Sequence, residues 1–442
     1  MTIQLSDHFD YKKLLLFSLP SIIMMIFTSV YGVVDGFFVS NFVGKTPFAA
    51  VNFIMPFLMI LGAIGFMFGT GGGALVALTL GKGKPEKANE YFSLFIYTCI
   101  ISSIIIMAAA FVLLPPVARL LGAEGAMLDN CVLYGRITLA ALPALILQYA
   151  FQSFFITAEK PQLGLIVSVA AGVTNIIGDA LFVAVFHWGL PGAAAATALG
   201  QIVGGLLPLF YFAQPNTSLL RLTKTHFDGR ALLKACTNGS SELMSNLSIS
   251  LVSMLYNAQL MKYAGENGVA AYGVLMYVNM IFLAAFIGYS TGTAPIVSYH
   301  YGAGRYEEVR KLLKKSLVII GAFSVCMFGL AEVLGAPLSR IFVGYDSSLL
   351  ELTARAFSIY SFSFLFSGIA IYGSSFFTAL NDGVTSALIS FLRALLFQVA
   401  AVLILPLIFG VDGIWISVVA AEVVAALVTG LFMLGKRKKF HY

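Results

Sequence analysis

Charge is what this chain of 442 residues most lacks: only 10% of it is Asp, Glu, Lys or Arg, where a water-soluble domain carries about 25%. With 59% of the residues hydrophobic, a water-soluble fold is excluded. The net charge of +6 sits in short basic clusters between apolar runs, which points to membrane orientation and not to a nucleic-acid groove. Cysteine is also scarce. Cys99, Cys131, Cys236 and Cys326 lie far apart, form no C-x-x-C pair, and three fall in apolar runs, so they read as reduced packing residues. The five histidines, His8, His187, His226, His300 and His441, have no metal-ligand spacing, and His8 and His226 fall in polar segments where they are expected to be solvated. The first fourteen residues hold Asp7, Asp10, Lys12 and Lys13 and no small-residue cleavage site. Leu14 onward is therefore expected to open a first spanning helix, not a cleaved leader.

What is present is length without polarity. A membrane span needs about 20 apolar residues, and runs of that kind lie near 14–40, 46–80, 90–114, 131–157, 162–186 and 193–213. A second set lies near 236–262, 268–300, 312–334, 352–379, 384–408 and 414–434, giving twelve spans in an all-α membrane protein. Most of the 26 basic residues fall on one face. They include Lys12 and Lys13, Lys82, Lys84 and Lys87, Lys160, Arg221, Lys224, Arg230 and Lys234, the cluster Arg305 to Lys315, and Lys436 to Lys439. Both termini are expected on the cytoplasmic side of the inner membrane.

The two sets of spans repeat. Gly81-Lys-Gly-Lys after the second span and Gly302-Ala-Gly-Arg after the eighth are 221 positions apart. The same shift pairs Thr70 and Gly71 with Thr291 and Gly292, Pro116 and Arg119 with Pro337 and Arg340, and Gly189 and Gly192 with Gly410 and Gly413. The chain therefore reads as a duplication, with lobes at 1–221 and 222–442. Six spans per half is an even number, so both halves insert alike and are related by an axis along the membrane normal. Transporters built this way bind substrate between the halves.

An ionised carboxylate inside hydrocarbon persists where it binds an ion, a proton or a partner. Asp35 and Asp179 each lie about eight residues, or roughly 12 Å, below the outer ends of their spans. Asn175 is one turn from Asp179 on the same helix face, and Thr197 falls at a comparable depth in the sixth span. These four oxygen-bearing side chains form a candidate site for Na⁺ as a metal ligand set, or for protons on the carboxylates; structural hydrogen bonding is the alternative. Under the shift Asp35 pairs with Tyr256, Asn175 with Leu396 and Asp179 with Ala400, so only the first half carries the cluster. Pro20 is either a kink in the first helix or a proline tolerated near its start. In the second half, Glu242 and Arg393 are candidates for a buried pair or shared polar network, with Glu242 alternatively a solvated helix-start carboxylate; Glu422, matching Gln201, is a further candidate partner. Gln148 and Gln152 share a face of the fourth span, and Met276, Tyr277 and Met280 occupy nearby turns of the eighth. All five are candidates for the substrate cavity, though the last three suit a lipid-facing surface equally well.

The stretch Tyr31-Gly-Val-Val-Asp35-Gly-Phe-Phe-Val, together with Asn175-Ile-Ile-Gly-Asp179 and Thr197, resembles the first-lobe pattern of the multidrug and toxic compound extrusion (MATE) family, its DinF-like and archaeal members above all. The resemblance covers nearly the whole chain, including the paired Gly-x-Gly loops. It implies a V-shaped pair of six-helix bundles exporting cationic, amphipathic drugs against inward Na⁺ or H⁺, with no other cofactor. By position, Asp35, Asn175, Asp179 and Thr197 become the coupling site and Pro20 the kink. The NorM-like branch adds a Glu deep in span seven and an Asp in span ten. Here span ten has no Asp and Glu242 stands near the expected helix start, so a first-lobe mechanism is expected. The expected partners are small organic cations and membrane lipid, with no nucleic acid, and the chain is expected to act as a monomer.

Other classes fit less well. A major-facilitator transporter would carry an Asp-Arg loop after span two, where this chain has Gly81-Lys-Gly-Lys-Pro85. A lipid-linked oligosaccharide flippase shares the architecture but tends to have a strongly cationic cavity, and Arg393 is the one clearly mid-span basic residue here. An intramembrane aspartyl protease would carry Gly-x-Gly-Asp, but position 176 is Ile, and no enzyme is expected. Hydropathy alone leaves a receptor or channel open.

Overall fold

The computed structural model describes residues 3–442, and its regular elements are all helices. Helices α1 (Tyr11–Val43), α2 (Thr46–Gly81) and α3 (Pro85–Leu120) are followed by α4, a bent pair of Gly125–Ala140 and Leu142–Thr157 turning by 58°. Then come α5 (Pro161–Val185) and α6 (Gly189–Ala213). The stretch Gly229–Gly302 breaks at Gly265, where φ is 63°, into α7 (229–264) and α8 (266–302). The rest are α9 (Tyr306–Val343), α10 (Ser347–Ala379), α11 (Gly383–Phe409) and α12 (Val411–Phe440). Twelve spans among the described residues match the expected number, and the protein is a multi-pass membrane protein.

Helix starts follow side-chain chemistry. Asp10, Asp228 and Asp346 accept hydrogen bonds from backbone N–H groups one turn inside α1, α7 and α10, satisfying donors that a helix start leaves open. Pro85 and Pro161 open α3 and α5, where a missing N–H costs nothing. The duplication is written in the backbone too. Gly44 and Gly265, Gly83 and Gly304, and Gly189 and Gly410 all take positive φ, and each pair is 221 apart, so the same turns recur at the same places. L-residues with a Cβ rarely adopt this conformation.

The halves meet along a seam at the face that carries both termini. There α1 crosses α8, α2 crosses α7, and the ends of α2 and α8 cross each other. A Cβ on Gly81 would stand 2.0 Å from the Tyr299 carbonyl oxygen, and one on Gly302 would stand 2.1 Å from that of Leu78. The first glycines of the two Gly-x-Gly loops thus let the helix ends touch backbone to backbone. Pro20 lies in this seam, two residues from Ile22, whose Cα faces Gly288 at 2.5 Å from a built Cβ; α1 continues through it as helix.

The segment before α1 straps the seam from outside. The Leu5 N–H donates to Glu159 Oε1 at 2.5 Å on the first half. Arg305 donates to the Ser6 carbonyl at 3.0 Å and Lys315 to that of Phe9 at 2.5 Å on the second. His8 bonds Glu308 at 2.8 Å and stays 62% exposed, in keeping with the expected solvated side chain. The segment joining the halves is pinned to the first: Arg221 N–H donates to Asn89 Oδ1 at 2.7 Å and Thr223 N–H to Ser93 Oγ at 2.8 Å. All four cysteines are free, Cys99 and Cys131 buried and Cys326 exposed.

Candidate ion-coupling site and central cavity

Small residues bring the first-lobe candidates together. A Cβ on Gly172 of α5 would stand 2.5 Å from the Phe27 ring and 3.0 Å from the Tyr31 ring of α1. One on Gly178 would meet Ala196 of α6 at 2.8 Å, and one on Gly200 of α6 would meet the Ala171 carbonyl at 2.9 Å and Asn175 Cβ at 3.1 Å. Without side chains at these three positions, α1, α5 and α6 close to a distance that short polar side chains can bridge. Asn175 Nδ2 donates to Asp35 Oδ1 at 3.5 Å, and Thr197 Oγ1, 3.1 Å from the Ala193 carbonyl oxygen, lies 3.4 Å from the same carboxylate oxygen. Asp179 stands beside Asp35.

The site is dry and has no cation of its own. Asp35 is 8% exposed, Asn175 4% and Asp179 0%. Among the described residues neither carboxylate has a salt-bridge partner, and both Asp179 oxygens and Asn175 Oδ1 lack any hydrogen-bond partner. Such atoms are costly to leave unsatisfied. Both helices change winding here: α1 passes into π geometry over Val39–Val43 and α5 over Asp179–Val185, a distortion frequent at functional sites. Tyr134, fully buried with an unpartnered hydroxyl, neighbours both carboxylates and Thr197. Sequence reasoning missed it. A lone tyrosine among apolar residues gives no periodic signal, and the only available cue was that a buried Tyr hydroxyl usually finds a partner.

In the second lobe the partner of Arg393 is the further candidate, Glu422. Arg393 pairs with Glu422, Nε to Oε2 at 2.9 Å, and not with Glu242. The helix carrying Glu242 begins at Gly229, capped by Asp228, and not near 236. Its first turns are polar, which hid the true start. Glu242 accordingly lies well inside α7 and lines a cavity between the lobes together with Arg393. This replaces the solvated helix-start reading.

That cavity, of about 150 Å³, lies where α2, α4, α7, α8, α10 and α11 converge. None of the five expected substrate residues is among its lining. Gln148 is packed against α6, where a Cβ on Gly204 would stand 2.5 Å from its Cδ, and Gln152 is buried with both amide atoms unpartnered. Tyr277 stacks on Phe342 of α9, 43% exposed, and Met280 is 47% exposed, while Met276 packs on the second-lobe core. Helical spacing showed that these residues share faces, but not which way the faces turn.

Comparison with known proteins fits this geometry. Multidrug export protein MepA of Staphylococcus haemolyticus (strain JCSC1435) is 23% identical over 97% of this chain and 94% of its own. Two solved structures share the fold. "Crystal structure of MATE in complex with MaL6" has a TM-score of 0.93 at 21% identity, covering 98% of each chain. "Outward-facing conformation of a multidrug resistance MATE family transporter of the MOP superfamily" has 0.90 at 22%, covering 98% of this chain and 97% of that one. The sequence model MatE matches residues 20–181 and again 243–404, once in each half of the duplication, and with that coverage the chain belongs to the MatE family.

Proposed function

We propose that this protein is a secondary active exporter that moves small organic cations and drugs outward in exchange for H⁺ or Na⁺, the coupling ion held at Asp35, Asn175, Asp179 and Thr197. The observation that carries the reading is a pair of buried carboxylates with no counter-charge, present in one lobe and absent from the related positions of the other. A relative with the same span of chain is named as a multidrug export protein, and the lobes are taken as 1–221 and 222–442.

The residues present suit either ion. The unpartnered Asn175 Oδ1 and Asp179 oxygens, with Thr197 and Asp35, are hard neutral and anionic oxygens of the kind Na⁺ takes; the carboxylates alone suffice for protons. The bound ion supplies positive charge that cancels repulsion between the carboxylates. When it leaves, two like charges share a low-dielectric space, an arrangement that favours any movement separating them or admitting water. The π-wound segments next to both aspartates are the parts of α1 and α5 best placed to rewind. Because α1 also forms the seam with α8, rewinding it biases how the lobes meet, and with it the side on which the cavity opens. The basic clusters on the terminus-bearing face support an orientation with both termini in the cytoplasm, the chain working as a monomer in the inner membrane.

The test is efflux of ethidium from proteoliposomes under an imposed pH or Na⁺ gradient. Gradient-driven movement by the parent, abolished in Asp35→Asn and Asp179→Asn variants that still purify as folded protein, supports the reading and identifies the ion. A folded parent that moves no organic cation, ethidium or a smaller ammonium compound, under either gradient overturns it.

A further inference from the structure

The lining of the central cavity has an unusual composition for a drug site, which is commonly aromatic and apolar. It contains no Phe, Tyr, Trp or Met, and ten of its residues are Ser or Thr. Five of these hydroxyls donate to carbonyls inside the protein. Thr70 donates to the Phe66 carbonyl at 2.9 Å, Thr157 to that of Ser153 at 3.3 Å, and Ser375 to that of Ser290 at 3.1 Å. A hydroxyl that has donated still has lone pairs to accept with, so these five offer acceptors to the cavity. Glu242 adds a carboxylate with no salt-bridge partner among the described residues. Donors are few. Arg393 reaches the cavity with its Nη groups unpartnered, its Nε being held by Glu422. Ser290, 2% exposed, has an Oγ with no partner at all.

We infer that this cavity takes a small, hydroxylated ammonium compound, of the size and hydrogen-bonding chemistry of an amino sugar, with its ammonium at Glu242 and its hydroxyls on the Ser and Thr wall. Charge supports a net cation: Glu422 already neutralises Arg393, so a ligand carboxylate gains little there, while Glu242 has no basic partner among the described residues and a ligand ammonium would supply one. Size supports a small one, since about 150 Å³ is below the roughly 300–1,000 Å³ of drug-sized pockets. Flat aromatic cations find no ring to stack on and would leave the acceptor wall unsatisfied. The inference rests on the exporter reading above and narrows its substrate class.

Two measurements on the full-length protein separate the two. In the first, calorimetry in detergent compares glucosamine, N-acetylglucosamine, which keeps the hydroxyls and loses the charge, and tetraphenylphosphonium, which keeps charge without donors. Glucosamine should bind at least about tenfold more tightly than either, Glu242→Gln should remove that preference, and Ser290→Ala should weaken binding a few-fold. In the second, proteoliposomes under the imposed gradients should accumulate glucosamine but not its acetylated form. Absence of glucosamine binding to the folded parent, or binding that Glu242→Gln leaves intact, overturns the inference. If tetraphenylphosphonium or ethidium moves while glucosamine neither binds nor moves, the substrate class falls and the exporter reading stands. Glucosamine binding with no gradient-driven movement of any probe keeps the assigned site and removes the exporter.

Discussion

Two halves of one duplicated chain solve the same problem in opposite ways. In both, the first helix must be joined to the fifth across a dry interface. The first half uses Asp35, reached by Asn175 and Thr197 at 3.5 and 3.4 Å. The second puts Tyr256 at the equivalent position, and its hydroxyl donates to Gln398 Oε1 at 2.7 Å. One contact is long, ionisable and flanked by a second carboxylate; the other is short, neutral and closed. At the related positions the second half pairs its charges: Arg393 and Glu422 stand at the positions of Gly172 and Gln201. On the proposed function, this difference assigns the response to an ion to the first half. A satisfied neutral pair has no charge to exchange, whereas two uncompensated carboxylates gain strongly from any cation that reaches them.

The largest effect should come from removing that asymmetry. Asp35→Asn or Asp179→Asn leaves the shape of the site but removes half its charge, and gradient-driven efflux should fall at least tenfold, to the level of empty liposomes. Thermal stability in detergent should hold or rise, because a neutral amide is cheaper to bury than an unpaired carboxylate. A variant that keeps coupled transport would mean that the first half is no more responsive than the second.

Next in size is the second-lobe ion pair. Arg393 and Glu422 have side chains only 17% and 6% exposed, so Glu422→Ala, which strands the guanidinium, should cost about 3–5 kcal/mol. The double change Arg393→Met with Glu422→Leu should be far milder, since a buried pair replaced by apolar side chains is often neutral. Melting of the three proteins in detergent measures this. Equal losses in the single and double variants would show that the pair contributes more than mutual neutralisation.

A smaller, pH-dependent contrast lies at the start of the fifth helix in each half. The first half opens α5 with Pro161; the second has Asp382 at the related position, bonded to Thr385 and to Lys436 Nζ at 2.7 Å. Burial alone would raise the Asp382 carboxyl, but Lys436 and Thr385 outweigh it and hold it below the ordinary carboxylate range. A carboxyl lowered on folding stabilises the protein above its unfolded value of about 3.9, and that contribution disappears as pH falls through the lowered folded value. Asp382→Asn should therefore cost about 1.5–3 kcal/mol at any pH from 8 to 5, and the gap to the parent should close only in more acid solution. A gap that closes near neutral pH would contradict the sign.

Much of this was legible in the sequence because it is carried by composition and repetition. Hydropathy marked twelve spans, and the 221-residue shift located turns that the structure builds with the same left-handed glycines. Asp35, Asn175, Asp179 and Thr197 were found because polar side chains at matched depth in hydrocarbon are conspicuous. What stayed hidden depends on rotation about helix axes and on helix ends. Gln148 and Met276 share faces with their neighbours yet point into packing, Tyr277 is exposed, and Tyr134 joins the site with no pattern to announce it. Glu242 looked terminal because two polar turns precede it, although Asp228 caps the helix well before. The glycines at 172, 178 and 200 read in sequence as generic small residues; only the structure shows that each removes a specific obstruction between helices of the site.

The smallest effect should come from the closed contact of the second half. Tyr256→Phe removes the hydroxyl that donates to Gln398 and leaves a buried amide oxygen short of a partner, a loss of about 1 kcal/mol. The ring still stacks on Tyr272 at 5.6 Å, so the helix packing persists. Coupled efflux should stay within about twofold of the parent, because the hydroxyl never carries charge that an ion could cancel. Measured beside Asp35→Asn, its counterpart 221 residues earlier, this variant isolates the ionisable group as the feature that matters: two substitutions at one structural position of the repeat, each deleting one polar contact between the first and fifth helices, of which only one should disconnect transport from the gradient. Comparable losses of transport in both would instead assign the effect to the helix contact itself and make the carboxylate incidental.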